Sequence, residues 1–168
     1  AGNALYDFSQ NTSPVLTIWD GAGIDTIDLS GWSTASTLNL TAGSYSSVKG
    51  MTKNLAIAYD VDIENATGGS GNDSFYAGAG NDTVSGGSGF DTLDYRIGGM
   101  TTGVTIDMSK HTAVGRGSGS DTFSSIEQVI GSNANDTIKG DKTANVINGA
   151  AGNDVISGGA GADTLAGG

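Results

Sequence analysis

Acidic side chains recur on a nine-residue ruler. From residue 68 the chain reads GGSGNDSFY, AGAGNDTVS and GGSGFDTLD, which puts Asp73, Asp82 and Asp91 at the sixth place of successive blocks. From residue 131 it reads GSNANDTIK, GDKTANVIN, GAAGNDVIS and GGAGADTLA, with Asp136, Asn145, Asp154 and Asp163 at that place. Run backwards, the ruler adds YDVDIENAT from Tyr59 and TFSSIEQVI from Thr122, so Glu64 and Glu127 take the same position. Carboxylates spaced this way suit one of three uses: ligands for a cation, an acid–base pair, or solvated turns. If two blocks make one coil, the acids stack about 5 Å apart and repel by roughly 1–3 kcal/mol per pair. A positive charge between them removes that penalty.

The choice of cation follows from the donors. Glycine-rich turns expose backbone carbonyls, and hard cations take those together with carboxylates. Calcium accepts six to eight oxygens in loose geometry, whereas magnesium keeps a strict octahedron and its waters. Zinc wants His or Cys, and the chain has one His and no Cys. Calcium is therefore the expected ion.

Something must hold these acids in register, and the eighth residue of each block does so. Phe75, Val84, Leu93, Ile138, Ile147, Ile156 and Leu165 are all apolar. At 36% hydrophobic content, chance gives seven such hits roughly once in a thousand trials. Each block thus reads as a tight glycine turn followed by a short strand whose central side chain faces inward. Residues 1–58 carry no clean array but alternate VLTIW, TIDL, TLNL and NLAIAY with turns, which predicts short strands. The chain divides into 1–58, a first array 59–94, a connecting insert 95–130 with GVTIDM and a turn at 115–121, and a second array 131–168. No helix of ten residues is expected.

Composition narrows the function classes. Gly is 29 of 168 residues and Pro only 1, and linkers of that kind lack apolar residues in register. A net charge of −11 and a pI near 4.1 argue against nucleic acid or an anionic membrane as partner. No apolar run is long enough to insert in a membrane. Asn-Asp-Ser/Thr at 72–74, 81–83 and 135–137 matches a glycosylation pattern that the repeat generates by itself. His111 stands alone and reads as a surface or strand residue. Trp19 and Trp32 read as core residues closing the N-terminal end. With one histidine there is no HExxH, and a serine triad has no partner base, so the segment reads as non-catalytic.

GGSGNDSFYAGAGNDTVSGG resembles the RTX nonapeptide repeat, which implies an all-β fold, a right-handed parallel β-roll with calcium between its turns. YDFSQNT, IWDGAGIDTIDLSGW and VDIENATGGSGND resemble the C-terminal domain of serralysin-type secreted metalloproteases over about residues 4–94. That resemblance implies ligand sets. One comprises Gly69, Gly71 and Asp73 with Gly86, Ser88 and Asp91. A second joins Asp62 and Glu64 to Ala77, Ala79 and Asp82. A third joins Ser132, Ala134 and Asp136 to Gly149, Ala151 and Asp154, and WDGAGID implies Asp20, Ala22, Gly23 and Asp25. Sites resting on Glu127 or on Asp163 opposite Asn145 should be weaker, so about four or more ions are expected. The resemblance also implies a secreted bacterial protein, an upstream catalytic domain and type I secretion machinery, with the export signal beyond these residues. A segment of an RTX adhesin or of a polysaccharide-processing enzyme is the alternative.

Overall fold

The fold is described from a computed structural model, for residues 2–11, 13–97, 102–115, 117 and 119–168. Thr12 and, in the turn expected at 115–121, Arg116 and Ser118 lie outside these residues. All regular structure among the described residues is strand. In chain order the strands are β1 (Leu5–Asp7), β2 (Leu16–Ile18), β3 (Thr26–Asp28), β4 (Thr37–Asn39), β5 (Tyr45–Ser46) and β6 (Leu55–Ile57). The first array gives β7 (Asn65–Thr67), β8 (Ser74–Tyr76), β9 (Thr83–Ser85) and β10 (Thr92–Asp94). Then come β11 (Val104–Asp107), β12 (Thr112–Gly115), β13 (Gly119–Ser124) and β14 (Gln128–Ile130). The second array gives β15 (Thr137–Lys139), β16 (Val146–Asn148), β17 (Val155–Ser157) and β18 (Thr164–Ala166).

The nine-residue ruler explains the topology. Each block contributes one three-residue strand, and successive strands go to opposite sheets. One sheet runs β1-β3-β7-β9-β13-β12-β11-β15-β17 and the other β18-β16-β14-β10-β8-β4. Within each array, partners lie 18 residues apart and parallel: Ser74 faces Thr92, Asn65 faces Thr83, Thr137 faces Val155, and Val146 faces Thr164. Block n thus stacks on block n+2 in a parallel β-roll.

Between the sheets lies the core. Phe75, Val84, Leu93, Ile138 and Ile147 are at most 1% exposed, because the middle residue of each short strand points inward. Leu165 is 49% exposed, since β18 is the edge strand of its sheet among the described residues. Between the two arrays, β11, β12 and β13 form an antiparallel meander within the first sheet. Its outer strands carry the stacking on, with β13 parallel to β9 and β11 parallel to β15. At the N-terminal end Trp32 is 3% exposed, its indole N–H donates to the Phe8 carbonyl at 3.2 Å, and Lys49 lies 5.3 Å over its ring. Trp19 departs from the expectation. It is 77% exposed, because it follows β2 on the outer face of a separate three-stranded sheet, β2-β6-β5, rather than on the core side.

Candidate metal centre

The sixth-place acids form two rails. In each, a backbone N–H at one turn donates to the acid of the turn stacked on it. Along one edge Ser36 donates to Asp73 (2.7 Å), Asp73 to Asp91 (2.8 Å) and Asp91 to Glu127 (2.8 Å), and farther on Asn145 donates to Asp163 (3.0 Å). Along the other, Ala4 donates to Asp25 (2.8 Å), Asp25 to Glu64 (2.7 Å) and Asp82 to Asp121 (3.0 Å). Beyond the meander, Val104 donates to Asp136 (2.7 Å) and Asp136 to Asp154 (2.9 Å). A second oxygen often closes its own turn, as when Asp73 accepts from Gly69 and Asp136 from Ser132. Asn145 reproduces that closure through Asp141, so its amide fits the geometry without the charge.

A parallel rail runs through the fifth place. Asn72 accepts from Phe90, Asn81 from Ser120 and Asn135 from Asn153. This gives the recurrent Asn-Asp doublet a structural reason: each member bridges to the next coil.

These bonds do not satisfy the acids. Asp82 Oδ1, Asp91 Oδ2 and Asp154 Oδ2 are buried without a hydrogen-bond partner. Burial, with the Asp121 charge beside it, pushes Asp82 up to about 8. Burial is likewise the leading cause that raises Asp91 to about 6, helped by Asp73 and Glu127, and raises Asp121 to about 6. Asp73 is raised by burial against three opposing hydrogen bonds. Orphaned buried carboxylate oxygens are costly unless something positive meets them.

The backbone around them is equally specific. A Cβ at Gly87 (φ +96°) would collide with the Gly69 carbonyl oxygen, and one at Gly89 (φ +132°) with that of Gly71. Carbonyl oxygens of one turn therefore aim at the stacked turn through gaps that only glycine leaves open. Hard oxygens from carbonyls and carboxylates, some unpartnered, form a donor set that fits calcium. Among the described residues no three Asp, Glu, His or Cys side chains converge as a ligand group. An ion between these turns must draw most of its ligands from the backbone.

The structure brings the sequence-predicted residues together in pairs of turns. Turn 69–73 stacks on 86–91, where Ser88 donates to the Gly69 carbonyl at 2.9 Å and Asp73 to Asp91. Asp62 and Glu64 lie close enough to act electrostatically on Asp82, the acid of the Ala77–Ala79 turn. Turn 132–136 stacks on 149–154. Asp20, Ala22, Gly23 and Asp25 line a cavity of about 260 Å³, shared with Asp60, Asp62 and Glu64. The Tyr6 hydroxyl donates to Asp20 at 2.8 Å, which lowers Asp20, while burial and that bond push Tyr6 up to about 12. Glu127 sits against Asp91, and Asp163 against Asn145.

Sequence reasoning missed Asp60 and Asp121. Asp121 is 2% exposed, occupies the rail position after Asp82, and accepts from the buried Tyr95 hydroxyl at 3.0 Å. Burial raises that hydroxyl well above its usual range. The signal for Asp121 is present: RGSGSDTFS over 116–124 repeats the block pattern, with Asp121 sixth and Phe123 eighth. A fixed ruler passes over it because its partner lies 39 residues away instead of 18.

Comparison with known families draws these features together. The family description "Peptidase M10 serralysin C terminal" matches residues 3–166. The chain belongs to the serralysin C-terminal family. Among curated members, Serralysin C of Dickeya chrysanthemi is 42% identical over 84 residues, covering 43% of this chain and 18% of the relative. Metalloprotease AprA of Pseudomonas entomophila is 49% identical over 75 residues, covering 42% of this chain and 16% of the relative. Metallopeptidase AprA of Pseudomonas marginalis is 41% identical over 85 residues, covering 44% and 18%. The chain thus spans less than a fifth of the length of these serralysin relatives.

Proposed function

We propose that the chain is a non-catalytic, calcium-binding folding module of a secreted bacterial protein, a serralysin-like metalloprotease whose catalytic domain lies elsewhere in the parent. The observation that carries this reading is the set of orphaned buried oxygens on Asp82, Asp91 and Asp154, in turns that already aim carbonyls at one another. Gly69, Gly71 and Asp73 with Gly86, Ser88 and Asp91 would hold one ion. Asp62, Glu64, Ala77, Ala79 and Asp82 would hold a second, and Ser132, Ala134, Asp136, Gly149, Ala151 and Asp154 a third. Asp20, Ala22, Gly23 and Asp25, with Asp60 added, would hold a fourth. Asp121 extends the same rail. Bound calcium neutralises the stacked carboxylates and cross-links successive coils.

The magnitudes suit export. Extracellular calcium modules bind with Kd of about 10⁻⁴–10⁻³ M. At free calcium tenfold above Kd each site adds ~1.4 kcal/mol, and four add about 5–6. Whole-domain stability is itself only ~5–15 kcal/mol. At low cytosolic calcium that contribution vanishes and repulsion remains, leaving a chain that can be threaded through a type I secretion channel and that folds outside.

Far-UV circular dichroism tests the proposal. The chain should be largely disordered in chelator and gain β-structure in millimolar calcium, with magnesium a poor substitute. A spectrum indifferent to calcium would reject the reading.

A further inference from the structure

We propose that the outer face of the β2-β6-β5 sheet is a binding groove for a neutral polysaccharide chain, a site distinct from the cation-binding turns that begin next to Trp19 and Tyr59 at Asp20 and Asp60. The exposure of Trp19 raises the question, and its neighbours answer it. Trp19, Tyr45 and Tyr59 are 77%, 61% and 82% exposed. Of the four well-exposed aromatics among the described residues, only Phe90 lies elsewhere. The three line one trough of about 190 Å³ together with the hydroxyl residues Thr17 and Ser44. Clustered exposed aromatics of this kind mark binding surfaces.

The trough is elongated. A second cavity of about 310 Å³ shares Thr17, Tyr45 and Ala56 with it, so the two continue across the sheet. Register explains the floor. Ala56 on the central strand lies between Thr17 on one side and Tyr45 on the other, and its small side chain leaves the groove open. The Tyr59 ring lies against Gly43, where a Cβ would stand 2.7 Å from a ring carbon.

Chemistry selects the ligand. Aromatic faces accept the C–H face of a pyranose ring, and flanking hydroxyls exchange hydrogen bonds with sugar hydroxyls. Among the described residues no charged side chain lines the aromatic trough, and Lys53 lines only its continuation. The chain as a whole carries −11, so uronate or sulfated polymers are repelled. An extended aromatic groove of this kind fits several consecutive neutral sugar units.

The test is calorimetric titration of the calcium-loaded 168-residue chain with cellohexaose, xylohexaose, maltohexaose and chitohexaose, with oligogalacturonate as the anionic control. Saturable binding of at least one neutral glycan is expected with Kd of about 0.1–1 mM, accompanied by a change in tryptophan fluorescence. Trp19→Ala and Tyr45→Ala should each weaken it about tenfold or more, while Phe90→Ala leaves it unchanged. Dichroism confirms that each variant is folded. The proposal is overturned if none of the four glycans saturates, if oligogalacturonate binds equally well, or if both aromatic variants retain full affinity. It is also overturned if Trp19 in the longer parent protein is shielded from acrylamide quenching, since a neighbouring domain would then cover this face.

Discussion

At the scale of single residues, the sixth-place acids serve two demands that conflict. Their hydrogen bonds splice each turn to the next, as between Asp73 and Asp91, yet their charges are buried beside one another. Asn145 shows how the conflict resolves when the charge is dropped: the amide still accepts from Asp141 and the backbone still donates to Asp163. The same exchange at Asp91 should therefore change sign with the buffer. In chelator, Asp91→Asn should increase the folded fraction read by far-UV circular dichroism, because a buried negative charge disappears from between Asp73 and Glu127. In millimolar calcium it should lower the melting temperature, with one ion fewer bound per chain by equilibrium dialysis. A loss of stability in both buffers would mean that the carboxylate acts only as a hydrogen-bond acceptor.

Among the elements, the eighth-place residues carry the packing, and their value depends on whether another coil lies above. Leu93 is fully buried between β8 and β14, whereas Leu165 on the terminal strand is half exposed. Leu93→Ala should cost about 2–5 kcal/mol in calcium-loaded protein, and Leu165→Ala less than about 1 kcal/mol, as read by denaturant unfolding. This part of the fold is legible in the sequence, because a period of nine with a fixed apolar place allows one kind of stacking. Other parts are not. The block holding Asp121 is separated from its partner by the β11–β12 detour, so a fixed ruler steps over it. Trp19 lies in an apolar stretch that reads as a strand, but alternation identifies two faces without saying which one the rest of the chain covers. Backbone shape is equally hidden: Ala150 takes φ +67° at the place where Gly87 and Gly159 sit, and no residue type announces it.

For the whole molecule, electrostatics set the conditions under which it is stable. Asp82, Asp91 and Asp121 have folded-state values raised to about 8, 6 and 6, against an unfolded value near 4. The folded state then binds more protons than the unfolded one between about pH 4 and pH 8, so metal-free stability falls as pH rises through that window. Acids lowered by hydrogen bonds, such as Asp20 and Asp107, act only below it. In chelator the β-structure read by circular dichroism should therefore increase on acidification from about pH 8 to about pH 4.5. With saturating calcium the melting temperature should instead fall on acidification, since protons then compete with the ion. Stability that responds to acidification in the same direction in both buffers would separate the acids from the cation. If divalent ions lie between stacked turns and hold neighbouring coils together, anomalous diffraction from a crystal grown in millimolar calcium will locate them there. Anomalous peaks are expected between turns 69–73 and 86–91 and between 132–136 and 149–154, each ringed by six to eight oxygens at about 2.3–2.6 Å. Turns folded as described, with no anomalous peak beside Asp73 and Asp91, would contradict that placement.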